Sequence, residues 1–245
     1  MTNKEAYLQK AAMYDLLSMY YKYTDPRLHI HYYQKHLKYM QKGIYGMRDQ
    51  HQDRPAQVRV LHAVPDAPNV DVYVNGNQIL SDIGFKDISG FMPLPAGKYH
   101  IDIYPAGTSV STVISKKVTV EPGKIYTLAA VGKGNKLQLL PYVTDPFVPQ
   151  GETKVRFIHL SPNAPAVDIA VAKGDVIFPK VSFKQATDYL GLTPMTVNLE
   201  VRAAGTKDAV LSVPNVSFQP NQAYTIFAVG LLNESPELDA LLVMG

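Results

Sequence analysis

The segment VRVLHAVPDAPNVDVYV, which begins at Val58, returns as VRFIHLSPNAPAVDIAV from Val155. The correspondence runs on well past these stretches. His62 matches His159, Ala67-Pro68 matches Ala164-Pro165, and Asp71 matches Asp168. Phe85-Lys86 matches Phe183-Lys184, Ala106-Gly107-Thr108 matches Ala204-Gly205-Thr206, and Tyr126-Thr127 matches Tyr224-Thr225. Val131-Gly132 matches Val229-Gly230. The chain therefore contains an internal duplication of about 95 residues, and whatever one copy folds into, the other folds into as well.

The periodicity inside each copy is that of short strands. Candidate strands are Gln57–Ala63, Val70–Val74, Tyr99–Tyr104, Thr112–Val120, Ile125–Val131 and Leu137–Tyr142. Turn residues separate them every 8–12 residues or so, the all-β pattern. Asn75-Gly76 predicts a tight hairpin turn, and Pro95-Ala96-Gly97 and Pro122-Gly123 predict others. Each copy has room for seven or eight strands, the size of an immunoglobulin-like β-sandwich. Lys133-Gly134-Asn135-Lys136 lacks the spacing of a phosphate loop and reads as a hairpin turn. The segment from Pro141 to Gly151 holds three prolines and is expected to be a stiff, extended joint.

Residues 1–50 obey a different rule. Lys4 to Tyr23 contains no Gly or Pro, and Leu8, Ala12, Leu16, Met19 and Tyr23 recur at helical spacing. Thr24-Asp25-Pro26 then supplies a cap and a first-turn proline for a second helix. In that helix Ile30, Tyr33, Leu37, Met40 and Ile44 form a heptad-like seam. His29, Tyr32, His36 and Tyr39 lie beside the seam. His29 and His36 are seven apart, whereas a helical metal site usually pairs histidines four apart, so this stripe reads as a packing face. Lys35, Lys38 and Lys42 read as its solvated side. Two helices this short need a partner surface, either the rest of this chain or another copy. Nine of the chain's 16 tyrosines fall here, and aromatic enrichment favours interfaces. Self-association through this hairpin is the expectation. His51 to Pro55 reads as a linker, giving a helical hairpin at 1–50 and sandwiches at 56–145 and 152–245.

Composition closes several doors. The chain has 245 residues, 24 Lys+Arg and 21 Asp+Glu, and no cysteine. Disulfides, thiolate metal sites and a cysteine nucleophile are excluded. The excess positive charge lies in the N-terminal segment and is too sparse for a nucleic-acid stripe. No run approaches the roughly 18 apolar residues of a membrane span. The start MTNKEAYLQKAAMYDLL does not read as a secretory signal.

The shared core HxxPxAPxVD invites a chemical reading. Val58, Val60 and His62 share one strand face, while Asp71 faces away from Val70 and Val72, onto the wetter side. Pro65 and Pro68 lack N–H groups, so the link between the strands is a crossover or sheet corner. Such a corner leaves backbone groups to be satisfied by nearby side chains. His62, Asp71, His159 and Asp168 are accordingly expected to brace the two corners, and are the candidate ligand-binding residues if any are. Catalysis would need a third group, and neither copy has a nucleophile in a GxSxG context. No catalytic residue, metal or cofactor is expected. Tyr99, Tyr126 and Tyr224 are expected to return their hydroxyls to upstream backbone, as in a tyrosine corner.

HxxPxAPxVD, followed by the LPAGKY turn (Leu94 to Tyr99) and the PGKIYT strand start (Pro122 to Thr127), resembles the bacterial domain of unknown function 4397. The second copy departs after Val171, having no Asn-Gly turn and LTPMTV from Leu192 in place of LPAGKY. The resemblance covers about 190 residues and omits the first fifty. It implies a β-sandwich found in exported or cell-surface bacterial proteins and no established reaction. The expected role is a non-enzymatic structural or adhesive module of a cell envelope, matrix or spore surface, touching an envelope protein or glycan. The alternative is a small-molecule or carbohydrate binder with a site at the junction of the two sandwiches.

Overall fold

A computed structural model describes residues 3–45 and 54–245; Gly46 and the linker residues 51–53 lie outside the described residues. Helices α1 (Asn3–Tyr21) and α2 (Pro26–Tyr45) form the hairpin. Asp25 caps α2, its Oδ1 accepting the N–H groups of Arg27 (3.0 Å) and Leu28 (3.2 Å) with Pro26 in the first turn.

The first copy comprises β1 (Ala56–Ala63), β2 (Val70–Val74), β3 (Asn77–Ile83), β4 (Met92–Leu94), β5 (Gly97–Pro105), β6 (Ile114–Val120), β7 (Ile125–Val131) and β8 (Gln138–Thr144). They make an inner sheet, β4-β1-β7-β8, and an outer sheet, β3-β2-β5-β6. The second copy repeats this with β9 (Thr153–His159), β10 (Val167–Val171), β11 (Val176–Val181), β12 (Leu190–Leu192), β13 (Met195–Ala203), β14 (Ala209–Phe218), β15 (Gln222–Val229) and β16 (Asp239–Met244). Its sheets are β12-β9-β15-β16 and β11-β10-β13-β14. The chain is thus mainly β, two sandwiches preceded by two helices. In both inner sheets the central pair is parallel, β1 with β7 and β9 with β15, and the other pairs are antiparallel. A sandwich of purely antiparallel sheets would not show this.

Asn75 and Gly76 both have positive φ, 49° and 84°, and close the β2–β3 hairpin as a mirror-image turn. Lys133–Lys136 is likewise a turn, closed by the Lys136 N–H on the Lys133 carbonyl at 3.2 Å. Strands β3 and β4 lie outside the six candidates. β3 is mostly exposed and polar, and β4 is three residues long with Pro93 at its centre, so neither has an apolar period. The joint begins later than expected. Pro141 lies within β8, a sheet-edge strand where a proline costs no ladder bond.

Each sandwich has its own core. Val58, Val60, Val72, Ile101, Ile103 and Leu128 fill the first. Phe157, Ile169, Leu199, Val201, Phe218 and Ile226 fill the second. A third cluster lies between the copies: Leu61, Ala63, Ala129 and Val131 with Ile158, Leu160, Phe227 and Val229. The inner sheets therefore bury both faces. Small Ala129 and large Phe227 hold equivalent places in it, so the two halves of the layer are filled by side chains of different size.

The hairpin packs on the second copy. Ile30 joins that copy's core. His29 Nε2 lies 3.0 Å from the Gly191 carbonyl, and Gln34 donates to the Tyr189 carbonyl at 2.7 Å. Tyr33 and Leu37 of the expected α2 seam are buried. The α1 stripe behaves differently. Ala12, Leu16, Met19 and Tyr23 are exposed, while Ala11 and Ser18 are the buried residues of that helix. Helix α1 turns Tyr7, Tyr14 and Tyr21 toward Tyr32 and Tyr39 of α2, ring upon ring at centroid distances of 5.4–6.3 Å. Lys35 and Lys42 lie over these rings. None of the described helices is long and apolar enough to cross a membrane.

Candidate functional site

The repeated histidines stand where an inner strand leaves for the outer sheet. His62 closes β1, and Pro65 to Pro68 carry the chain across to β2. His62 Nε2 donates to the Pro68 carbonyl at 3.1 Å, and its Nδ1 accepts the Val64 N–H at 3.2 Å. His159 repeats both bonds, to the Pro165 carbonyl (3.0 Å) and from the Ser161 N–H (3.3 Å). One nitrogen donates and the other accepts, which is the pattern of a neutral imidazole. Burial pushes both histidines below their ordinary pKa, outweighing the carbonyl acceptors that favour the charged form. Phe85 and Phe183 stand edge-on to these rings at 6.4 and 6.3 Å.

The carboxylates are just as occupied. Asp71 accepts the Asp82 N–H at 2.9 Å and the Gly107 N–H at 3.1 Å, one on each oxygen. Asp168 accepts the Lys180 N–H at 2.7 Å and the Gly205 N–H at 2.8 Å. Both aspartates are buried, not wet as strand alternation suggests. The irregular neighbouring strands β3 and β11, and the turns after β5 and β13, fold over that face and aim backbone donors at it. The four side chains do not converge on a shared cleft; each hydrogen-bonds to backbone of its own copy.

Tyr126 and Tyr224 accept the N–H groups of Glu121 (3.1 Å) and Gln219 (3.0 Å), five residues upstream, and Tyr99 donates to the Pro95 carbonyl at 2.8 Å. All three hydroxyls return to upstream backbone, as their positions predict.

The repeat match Arg59/Arg156 had no role in sequence reasoning. Arg59 Nε donates to Thr127 Oγ1 (3.0 Å) in its own copy, and its Nη1 reaches the Met244 carbonyl (2.9 Å) in the other. Arg156 does the same with Thr225 (3.1 Å) and the Val143 carbonyl (2.7 Å). Met244 and Val143 hold equivalent registers, opposite Tyr224 and Tyr126. The contact between copies is therefore isologous: each arginine gives the other copy what it receives. Burial lowers the pKa of both guanidiniums. The joint recurrence of Arg at 59/156 and Thr at 127/225 was the available signal. The junction is an apolar layer that includes Leu61, Ile158, Leu160 and Phe227, crossed by the two arginines.

Two apolar spaces lie inside the sandwiches. A cavity of about 200 Å³ between the sheets of the second copy is lined by Phe157, Ile169, Phe178, Leu199 and Phe218, with Tyr23 and His29 at the hairpin side. A smaller one, about 140 Å³, occupies the first copy among Val58, Val72, Ile101 and Leu128. Both linings are apolar, unlike a sugar site.

Two matches to the profile of "Domain of unknown function (DUF4397)", at residues 56–170 and 170–243, cover most of the chain. The chain belongs to this family, and its helical hairpin lies outside the matched region. No curated protein matches the chain. Among solved structures, the C-terminal domain of AlgF from P. aeruginosa is similar at 20% identity over 37% of this chain and 99% of that one, with a TM-score of 0.29. The Bacillus anthracis TIE protein is similar at 14% identity over 73% of this chain, which spans only 34% of that protein, with a TM-score of 0.25. A protein from Bacteroides fragilis ascribed to cell adhesion is similar at 11% identity over 79% of this chain and 97% of that one, with a TM-score of 0.17. At these TM-scores the superpositions carry no functional weight.

Proposed function

We propose that the chain is a non-enzymatic structural or adhesive module of a bacterial envelope, matrix or spore surface, working through contacts with protein or glycan. Placement at a surface draws on the family resemblance. The His–Asp sets serve as corner braces: their nitrogens and oxygens are already engaged by backbone, which leaves none of these four side chains free to act as a base. The junction alternative would need a polar pocket between the copies, where an apolar layer lies instead.

The observation that carries an associative role is the outer face of α1. Met13, Leu16 and Tyr20 on the helix, and Tyr23 in the turn that follows it, stand at steps of three and four and are exposed, the last three at 69, 74 and 87%. That is the spacing of a helix–helix seam, left open to solvent among the described residues, and we assign it to a second copy of this chain. Light scattering of the full chain over a range of concentrations tests this. The expected result is twice the single-chain mass, reduced to the single-chain mass in the Leu16→Lys/Tyr20→Lys variant. A wild-type chain that stays monomeric throughout, or a variant that associates as well as wild type, would overturn the assignment.

A further inference from the structure

His36 is only 5% exposed. Its Nδ1 donates to the Ala11 carbonyl of α1 at 3.0 Å, which leaves the lone pair of a neutral ring on Nε2. That nitrogen is buried and has no hydrogen-bond partner among the described residues. Leaving a buried acceptor unmet costs about 1–3 kcal/mol. Carboxylate oxygens of Asp15 on α1 and Glu152 just before β9 stand close by, with one ligand atom from each of the three residues within 4.8 Å of the others. Two carboxylates this close repel unless a proton or a cation lies between them.

We propose that Asp15, His36 and Glu152 bind one divalent transition ion of the zinc class. Imidazole nitrogen with carboxylate oxygen is the donor set of such ions. Calcium and magnesium prefer oxygen alone, and there is no sulfur to select copper(I). Metal–ligand bonds of about 2.0–2.2 Å bring ligand atoms to roughly 3–3.5 Å from one another, a modest contraction for two flexible carboxylates. The supporting bonds of such a centre are present. The Ala11 carbonyl fixes the His36 tautomer, and Tyr33 donates its hydroxyl to Glu152 Oε2 at 3.0 Å. Asp15 and Glu152 also border a small cavity of about 100 Å³, which gives the ion a side for water. His29 is not a ligand, since both its ring nitrogens face backbone carbonyls, those of Ser18 and Gly191. Helical spacing within α2 could not reveal this set, because its members come from α1, α2 and the joint. The bound ion pins the hairpin to the second copy.

The test uses the full chain without an affinity tag, stripped by a chelator, then titrated with Zn²⁺ by calorimetry and with Co²⁺ by visible absorption. One equivalent should bind, with cobalt d–d bands and a rise in melting temperature. Asp15→Asn and Glu152→Gln, which keep the side-chain shape, should each weaken binding by about 100-fold or more. Tyr33→Phe should weaken it by about tenfold, as loss of a supporting hydrogen bond does. His31→Gln and His100→Gln, at exposed histidines, should leave it unchanged. Circular dichroism confirms that each variant is folded. No cobalt spectrum in the wild type, binding that survives Asp15→Asn and Glu152→Gln, or binding lost with His31 or His100 would each overturn the site. A failed titration leaves the α1 seam untouched, because self-association is read by mass alone.

Discussion

His62 and His159 each hold a sheet corner in the neutral form, and this gives the fold an acid sensitivity of calculable sign. Burial places their folded-state pKa below the unfolded value of about 6.5. As pH falls below about 6.5 the unfolded chain takes up protons that the folded chain refuses, so stability is full above that pH and declines through the folded-state pKa. Thermal melts should show a lower melting temperature at about pH 5 than at pH 7.5, and a flatter pH dependence in the His62→Gln/His159→Gln variant. An unchanged slope in that variant would mean that other groups carry the effect. The sequence made these residues visible because a proline-rich crossover strips the backbone of donors and their recurrence marked them out. It did not show Asp71 and Asp168 as buried. Their donors come from Asp82, Gly107, Lys180 and Gly205, on other strands and turns, which strand alternation cannot see.

Among the elements, the short strand β12 decides where the hairpin sits. Gly191 lies beneath the Tyr33 ring, and a Cβ there would stand 2.3 Å from ring carbons. The equivalent residue in the first copy is Pro93, in the Met92-Pro93-Leu94 strand. The two copies therefore differ at the residue over which α2 must lie, and the hairpin takes the second. Gly191→Ala should loosen this docking. Hydrogen exchange in α2 should rise about tenfold or more, as for local opening made easier by about 1.4 kcal/mol, while β15 keeps its protection. Unchanged exchange in α2 would show that the ring yields without cost. Helix period and the Asp25 cap were legible from residue types alone. Which α1 face stays bare was not, because apolar residues and tyrosines occupy both sides of that helix and only the partner decides between them.

For the whole molecule, the layer between the inner sheets makes one body of two repeats. Phe227 is fully buried in it. Phe227→Ala should cost about 3–5 kcal/mol, and, because the layer is shared, should shift a single unfolding transition rather than split off the second copy. Calorimetry checks this, and two separated transitions in the wild type would count against it. The near-continuous apolar runs IYTLAAV (Ile125 to Val131) and AYTIFAV (Ala223 to Val229) are what strands buried on both faces look like. Strand periodicity marks Ile125–Val131 as a sandwich strand without showing what covers its second face, so the duplication is legible in the sequence while its internal docking is not.

The crossed arginines carry this further. Each repeat finishes its twin's hydrogen bonding through Arg59 and Arg156, so the pair has the form of a symmetric homodimer whose subunits share one peptide chain. Covalent tethering frees such an embrace from dilution, since neither half has to find the other in solution. A lone repeat released from the chain would bare an aliphatic sheet and a buried cation together, and would seek a mate.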